Sequence, residues 1–332
     1  MVKLQDIADK FDISVSTVSR ILNGKGRVTQ ELRENVLAYA KEVRYIPNLI
    51  AKSLKLQESR SIGLVVPDIT NVYYGIIFNA IEEVAREKGY STILFNCESE
   101  AARATEYVNQ LQNSYVDGMI VATTGSEIWS SVETGIFNRV VFIDNIPATD
   151  NRKVDFIGVD NESSAYKLTK LMLDKGYTKI MTVTGPSRES TAEDRLAGFI
   201  RAMNEYNIPV DEDSIVRTSF MYDDAWQKIT EQFDEGNIPE AILTHNNVTA
   251  YAALRAAYKL GINVPQDMGI ACFDHIDIYG FMEPKFTNMI QPAHEMGRLA
   301  AERLITKLNQ GTKTYQPETI ILKSEFIEGE TL

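Results

Sequence analysis

Arg20, Ser16 and Val15 are the residues whose types and spacing carry the plainest chemistry in this chain. They lie within residues 4–23, which the apolar pattern divides into two short helices. Leu4, Ile7, Ala8 and Phe11 fall at i, i+3, i+4 and i+7, one face of a helix. Asp12-Ile13 breaks that pattern. Ser14 is a favoured N-cap, because its hydroxyl can accept from a free backbone N–H of the next turn. Val18, Ile21 and Leu22 form the buried face of the second helix, so Val15, Ser16 and Arg20 lie on the side away from it. An arginine there can donate two hydrogen bonds to guanine O6 and N7 in a major groove. Ser16 can bond base edges, and Val15 can touch a thymine methyl. Thr17, Ser19 and Asn23 are short donors suited to phosphates, which set register rather than specificity. The pattern predicts a helix-turn-helix whose second helix reads DNA.

These two helices need a third to make a core. Thr29 can cap one in which Leu32, Val36, Ala40 and Val43 form the apolar stripe. Three helices in about 45 residues bury little surface, but a core of that size can fold. Pro47 stops the third helix and Asn48 can cap a short fourth. That hinge segment, 46–59, exposes Leu49, Ile50 and Leu54 with no core of its own. A helix of about two turns is marginal in water, so it should order only against a partner helix or against DNA.

Charge follows the same division. Residues 1–60 hold 11 Lys and Arg against 7 Asp and Glu, a net +4; the whole chain is −12, which leaves −16 for the rest. A basic head on an acidic body suits a protein that touches nucleic acid with one end. The 332 residues are enough for two or three domains, and 44% hydrophobic residues is globular. No apolar run reaches the 18 residues of a membrane span, and Met-Val-Lys-Leu-Gln-Asp is no signal region, so a cytoplasmic protein is expected. Cys97 and Cys272 sit in apolar runs and read as buried thiols.

Beyond residue 60 the chain alternates strands and helices. Strands are predicted at Ile62–Val66, Thr92–Phe95, Met119–Ala122 and Val140–Ile143, with a helix over 72–88. The pattern then restarts, with strands at Phe156–Val159, Ile180–Val183, Ala241–Leu243 and Gly269–Phe273 and helices near 161–175, 192–206, 223–235 and 247–260. Lys88-Gly89-Tyr90 and Lys175-Gly176-Tyr177 are the same helix stop used twice. Two similar α/β halves follow, each a parallel sheet covered on both faces. Ligands of such sheets bind at the carboxyl ends of the strands, here in a cleft between the halves. Polar residues gather at those ends: Asp68, Asn71, Thr123, Thr124 and Asp144 in the first half, Arg195, Asn246 and Asp274 in the second. Tyr73, Tyr74, Phe95, Phe220 and Trp226 are aromatics near the same rim. Acceptors for hydroxyls, an arginine that donates and flat rings that stack are what a sugar ring needs.

Enzyme constellations are not found. Gly24-Lys25-Gly26 follows a helix, so it is not a strand-to-helix phosphate loop. No GxSxG elbow occurs, and His294-Glu295 lacks the second histidine of a zinc helix. Asp144 and Asp274 could form a general acid–base pair, but ground-state binding of hydroxyls explains them equally well. The chain is read as a non-enzyme with no cofactor or metal. A sugar-binding protein without a gene-regulatory role stays open as the alternative.

At this point the chain resembles the LacI–GalR family of bacterial transcription regulators. The resemblance rests on Val15-Ser16-Thr17-Val18-Ser19-Arg20-Ile21-Leu22-Asn23 and on the hinge pattern Tyr45-x-Pro47-Asn48-x-x-Ala51-x-x-Leu54. It extends through Asp194-Arg195-Leu196-Ala197-Gly198, His245-Asn246-Asn247 and Cys272-Phe273-Asp274. It implies a helix-turn-helix domain over 1–45, a hinge helix and linker over 46–59, and a periplasmic-binding-protein-like core over 60–332. Lobe one of that core would span about 60–159 and 292–320, and lobe two about 160–291 and 321–332. It also implies a homodimer on a near-palindromic double-stranded operator, with Asn48, Ala51 and Leu54 of paired hinge helices in the minor groove and Leu54 wedged into a base step. Val15, Ser16, Thr17, Ser19, Arg20 and Asn23 would contact DNA. A small effector, a sugar or sugar derivative, would bind Asn71, Tyr73, Thr124, Asp144, Arg195, Phe220, Asn246 and Asp274. Asn247, Cys272 and His275 depart from the residues common in the family, so no particular sugar is implied; Ile46 departs in the hinge, where many members carry a polar residue that could reach a phosphate; Arg188 with Arg195 keeps sugar acids open, and a nucleoside effector is a further alternative.

Overall fold

The structure is a computed structural model that describes residues 2–22, 24–45, 58–113, 115–122, 129, 135–148, 153–274, 279–280, 284–310 and 314–332. The expected hinge helix, with Asn48, Ala51 and Leu54, lies outside the described residues, as do Asn23, Thr123, Thr124 and His275. The chain divides into two compact units, Met1–Gln57 and Glu58–Leu332.

The first unit holds α1 (Leu4–Phe11), α2 (Val15–Leu22) and α3 (Gln30–Glu42). Asp12 ends α1 in the left-handed region (φ 49°), a conformation its short side chain tolerates. The Ser14 hydroxyl accepts from the Thr17 N–H at 3.1 Å, and the Thr29 hydroxyl accepts from that of Leu32 at 3.3 Å. Ile7, Ala8, Val18, Ile21, Val36 and Ala40 form the buried core, with Leu4, Phe11, Leu22 and Leu32 packed around it.

The second unit begins with β1 (Ser61–Val66), α4 (Val72–Glu87), β2 (Ser91–Asn96), α5 (Ala101–Asn109), β3 (Gly118–Ala122), β4 (Val140–Ile143) and β5 (Asp155–Val159). It continues through α6 (Asn161–Asp174), β6 (Ile180–Thr184), α7 (Ser190–Glu205), β7 (Ile215–Arg217), α8 (Tyr222–Asp234), β8 (Ala241–Thr244), α9 (Asn247–Lys259) and β9 (Gly269–Phe273). It closes with β10 (Thr287–Ile290), α10 (Ala293–Gln310), β11 (Thr319–Leu322) and β12 (Glu325–Ile327). Two six-stranded sheets result, in the orders β11-β5-β4-β3-β1-β2 and β12-β10-β9-β8-β6-β7. Both faces of each sheet are covered. Ile62 and Leu64 pack toward α4 and α10 while Val65 packs toward α5, so the strands read as continuous apolar runs. The second sheet divides likewise between α8 and α9 on one face and α6 and α7 on the other.

Gly89 and Gly176 end α4 and α6 with φ of 74° and 98°. At each stop the following tyrosine's N–H returns to the third-last helical carbonyl, Tyr90 to Ala85 at 2.8 Å and Tyr177 to Met172 at 3.2 Å. The paired motif is thus a Schellman stop in both halves.

Two details differ from the expectation. The exchange of the last segment falls after Leu322 rather than after residue 320, because β11 pairs with β5 through Leu322. The second sheet is not wholly parallel, because β12 runs antiparallel to β10. The cause is topological: β10 leaves its sheet toward the first lobe, whereas β12 arrives from that lobe after β11. The short helix α5 and the strands β7, β10, β11 and β12 carry too little periodicity to stand out in the sequence.

Candidate functional site

In the first unit, α2 turns Val18 and Ile21 into the core and leaves Ser16 and Arg20 exposed. Those two are one turn apart on one face. Val15, Thr17 and Ser19 are half-buried beside them, and the Ser14 hydroxyl lies 2.8 Å from those of both Ser16 and Thr17. The expected base-reading pair is therefore on the accessible side of a capped helix.

In the second unit, the carboxyl ends of both sheets face one cleft. Asn71, Tyr73, Asp144, Arg195, Phe220, Asn246 and Asp274 all line it. Their positions follow from local structure. Asn71 caps α4, accepting from the Tyr73 N–H at 3.0 Å, and Tyr73 sits on its first turn. Asn246 caps α9 by accepting from the Thr249 N–H at 2.8 Å, while its Nδ2 donates to the Phe220 carbonyl at 3.3 Å. Asp144 follows β4 and Asp274 follows β9, the same position in the two sheet orders. Phe95 and Trp226 do not line the cleft. Phe95 stacks on Tyr107, and Trp226 lies under Arg255 and Lys259.

Arg195 is almost wholly buried on α7. Its Nε donates to Asn161 Oδ1 at 2.7 Å, its Nη1 to the His245 carbonyl, and its guanidinium stacks 4.1 Å from the Phe273 ring centroid. Its Nη2 has no partner among the described residues. A buried arginine nitrogen without an acceptor is costly, and a ligand oxygen would satisfy it. Burial pushes the Asp144 carboxyl up to about 6, with Asp274 adding to the rise and Arg195 opposing it. Burial likewise raises Asp274, against the pull of Arg195 and of the Gln291 amide. His245, buried beside Arg195, is driven well below its usual value and stays neutral.

Sequence reasoning missed four contributors. Gln291, just past β10, donates to Asp274 Oδ1 at 2.6 Å, and the strand-end rule could have found it. Asn145 and Thr191 meet across the cleft, with Asn145 Oδ1 accepting from the Thr191 N–H at 3.0 Å. Asn247 Nδ2 also crosses it, donating to Asn71 Oδ1 at 3.0 Å. No sequence spacing announces pairs so distant along the chain. No group of His, Cys, Asp and Glu suited to a metal occurs among the described residues.

Residues 59–329 match the family described as periplasmic binding proteins and sugar binding domain of LacI family, and residues 3–48 match the bacterial regulatory proteins of the lacI family. The chain belongs to the LacI family. Among LacI-family relatives, the HTH-type transcriptional regulator DegA of Bacillus subtilis is 31% identical over 98% of this chain and 96% of its own length. The ribose operon repressor of Halalkalibacterium halodurans is 31% identical over 99% of this chain and 98% of its own. The lac repressor dimer bound to operator and an anti-inducer matches with a TM-score of 0.82 at 23% identity, covering 99% of this chain and 98% of that one, a likeness of fold. The helix-turn-helix unit and the two-sheet core are thus those of a LacI-family DNA-binding transcriptional regulator. No helix among the described residues is long and apolar enough to cross a membrane.

Proposed function

We propose that this regulator is a dimeric, operator-binding repressor of a carbohydrate-use operon, and that its cleft takes a neutral monosaccharide, a pentose first among them. The observation that carries the reading is the meeting in one cleft of Asp144 and Asp274, from matched strand ends, with the unpaired Nη2 of Arg195. Two carboxylates accept from sugar hydroxyls, the guanidinium donates to a ring or hydroxyl oxygen, and Phe220 and Tyr73 offer apolar faces. Four carboxylates (Asp68, Asp144, Glu189, Asp274) against two guanidiniums (Arg188, Arg195) line the cleft, which disfavours sugar acids. Relatives point the same way. LacI-family structures 25% and 27% identical to this chain hold ribose and D-xylulofuranose, and relatives of matching length are named ribose operon repressors.

The proposed switch needs only differential binding. The bonds Asn71–Asn247 and Asn145–Thr191 tie the lobes together. A sugar that binds one lobe arrangement more tightly shifts the equilibrium by that difference and no more. Titration calorimetry with D-ribose and D-xylulose tests the reading. We expect binding by the intact chain and a loss of about 100-fold or more in Asp274→Ala, the scale of a lost buried charge-assisted contact. Equal sugar affinity in Asp274→Ala and the parent chain would place the effector elsewhere.

A further inference from the structure

One chain of buried polar groups crosses the cleft and is over-supplied with acceptors. The Tyr73 hydroxyl has one proton and three acceptors within reach: Asp144 Oδ1 at 3.3 Å, Gln291 Oε1 at 3.4 Å and Met296 Sδ at 3.5 Å. Gln291 cannot turn its amide to help, because its Nε2 donates to Asp274 Oδ1 at 2.6 Å. Tyr73, Asp144, Asp274 and Gln291 are all buried. With Asp144 ionised, its Oδ1 takes the Tyr73 proton while its Oδ2 already accepts from the Tyr74 hydroxyl at 3.3 Å and from Asn145 Nδ2 at 3.4 Å, and the buried Gln291 carbonyl has no donor left among the described residues, which is costly. A proton on Asp144 Oδ1 resolves the count. Asp144 then donates to Tyr73, Tyr73 to Gln291, and Gln291 to Asp274, all in one direction. One buried carboxylate remains, that of Asp274, within the field of Arg195.

Burial favours that proton. Asp144 faces Tyr73 and Tyr74 from α4, Arg195 and Glu189 from α7 and its N-cap, and Asp274 from the end of β9. Asp68 and Arg188 line the same cleft, and Asp160, Glu162 and Asp194 line the crevice on its other side. Carboxylates outnumber guanidiniums around it on both sides. Burial, more than these charges, pushes its carboxyl up to about 6: Asp274 adds to the rise, while Arg195 and the Tyr73 and Tyr74 hydroxyls oppose it.

We infer that in the acid range the ligand-free cleft holds a proton on Asp144 and that sugar binding expels it, so that acid and effector oppose one another. The inference rests on the reading of this cleft as a sugar site. In the exchange, the O–H bond of Asp144 breaks, the proton passes to solvent buffer, and a sugar hydroxyl donates to the vacated oxygen. Nothing else is consumed. The regulator would then need more sugar for the same response as the medium turns acid.

Two measurements test it. Infrared titration of the ligand-free chain should show a protonated-carboxyl band that disappears as pH rises through about 6 and is missing from Asp144→Asn. Calorimetry with D-ribose, in buffers of different ionisation enthalpy, should show about one proton released at pH 5 and affinity falling about tenfold per pH unit below the midpoint. Asp144→Asn should bind D-ribose more weakly at neutral pH and lose that slope, with its thermal melt confirming a folded core. A missing band at pH 5, a band that survives in Asp144→Asn, or ribose affinity that is flat with pH and exchanges no proton overturns the inference while leaving the sugar site standing. Failure of both D-ribose and D-xylulose to bind at any pH overturns the pentose reading and the coupling together.

Discussion

Asp144 and Asp274 repeat one another in more than residue type. Both take positive φ, 69° and 72°, and both return their N–H to the neighbouring strand, Asp144 to the Ile157 carbonyl at 3.0 Å and Asp274 to that of Met289 at 2.9 Å. A left-handed aspartate at a strand end costs backbone energy, and a buried second carboxylate costs more. Both costs fall in the cleft between the two sheets. A group protonated more readily in the fold than in the unfolded chain stabilises the fold fully below its unfolded value, and loses that contribution as pH rises through the folded value. For Asp144 the window runs from about 4 to about 6. At neutral pH the ligand-free core therefore bears an unfavourable contribution of up to about 3 kcal/mol from this one carboxyl. Asp144→Asn should raise the melting temperature of the ligand-free chain at pH 7 and flatten its fall between pH 4 and 6, read by calorimetric scans. An unchanged pH profile in that variant would remove Asp144 as the cause.

Helix contacts set where Arg195 points. The Gly198 position, one turn after Arg195 on α7, faces the backbone of α6, and a Cβ there would fall 2.2 Å from the Glu162 carbonyl oxygen and 2.8 Å from the Tyr166 nitrogen. Both obstacles are backbone, so no rotamer change relieves them. Gly198→Ala should therefore push the helices apart, destabilise the core by about 2 kcal/mol in urea melts, and weaken D-ribose binding by displacing Arg195. Unchanged stability would mean that the interface yields freely. The Arg195–Gly198 spacing was legible in the sequence; the reason for the glycine was not, because nothing in residues 194–198 names the facing helix.

The whole molecule combines a basic end with an acidic body, and its two units carry separate tasks. Arg20→Ala should reduce preference for the operator by about 10- to 100-fold, the worth of one bidentate base contact, while weak salt-sensitive binding to any duplex persists. It should leave D-ribose affinity untouched, since Arg20 belongs to the other compact unit. Mobility shifts at two salt concentrations separate the two terms. Preference that survives the change would assign base reading to another residue.

Much of this was legible in the chain itself. The helix-turn-helix was fixed by short-range features, with Ile7, Ala8, Val18 and Ile21 at helical spacing and Ser14 and Thr29 as caps, and local periodicity reports local structure. The strand-end rule found Asp144, Asn246 and Asp274, because parallel sheets place their carboxyl ends together. The pairing of Tyr73 with Gln291, of Asn145 with Thr191 and of Asn71 with Asn247 was decided only in three dimensions. Those partners are 46 to 218 positions apart. A residue's type reports its chemistry, but whether it ends beside another depends on the packing of both sheets. The tertiary structure alone thus decided which acceptors compete for the Tyr73 proton and left one nitrogen of Arg195 without a partner among the described residues.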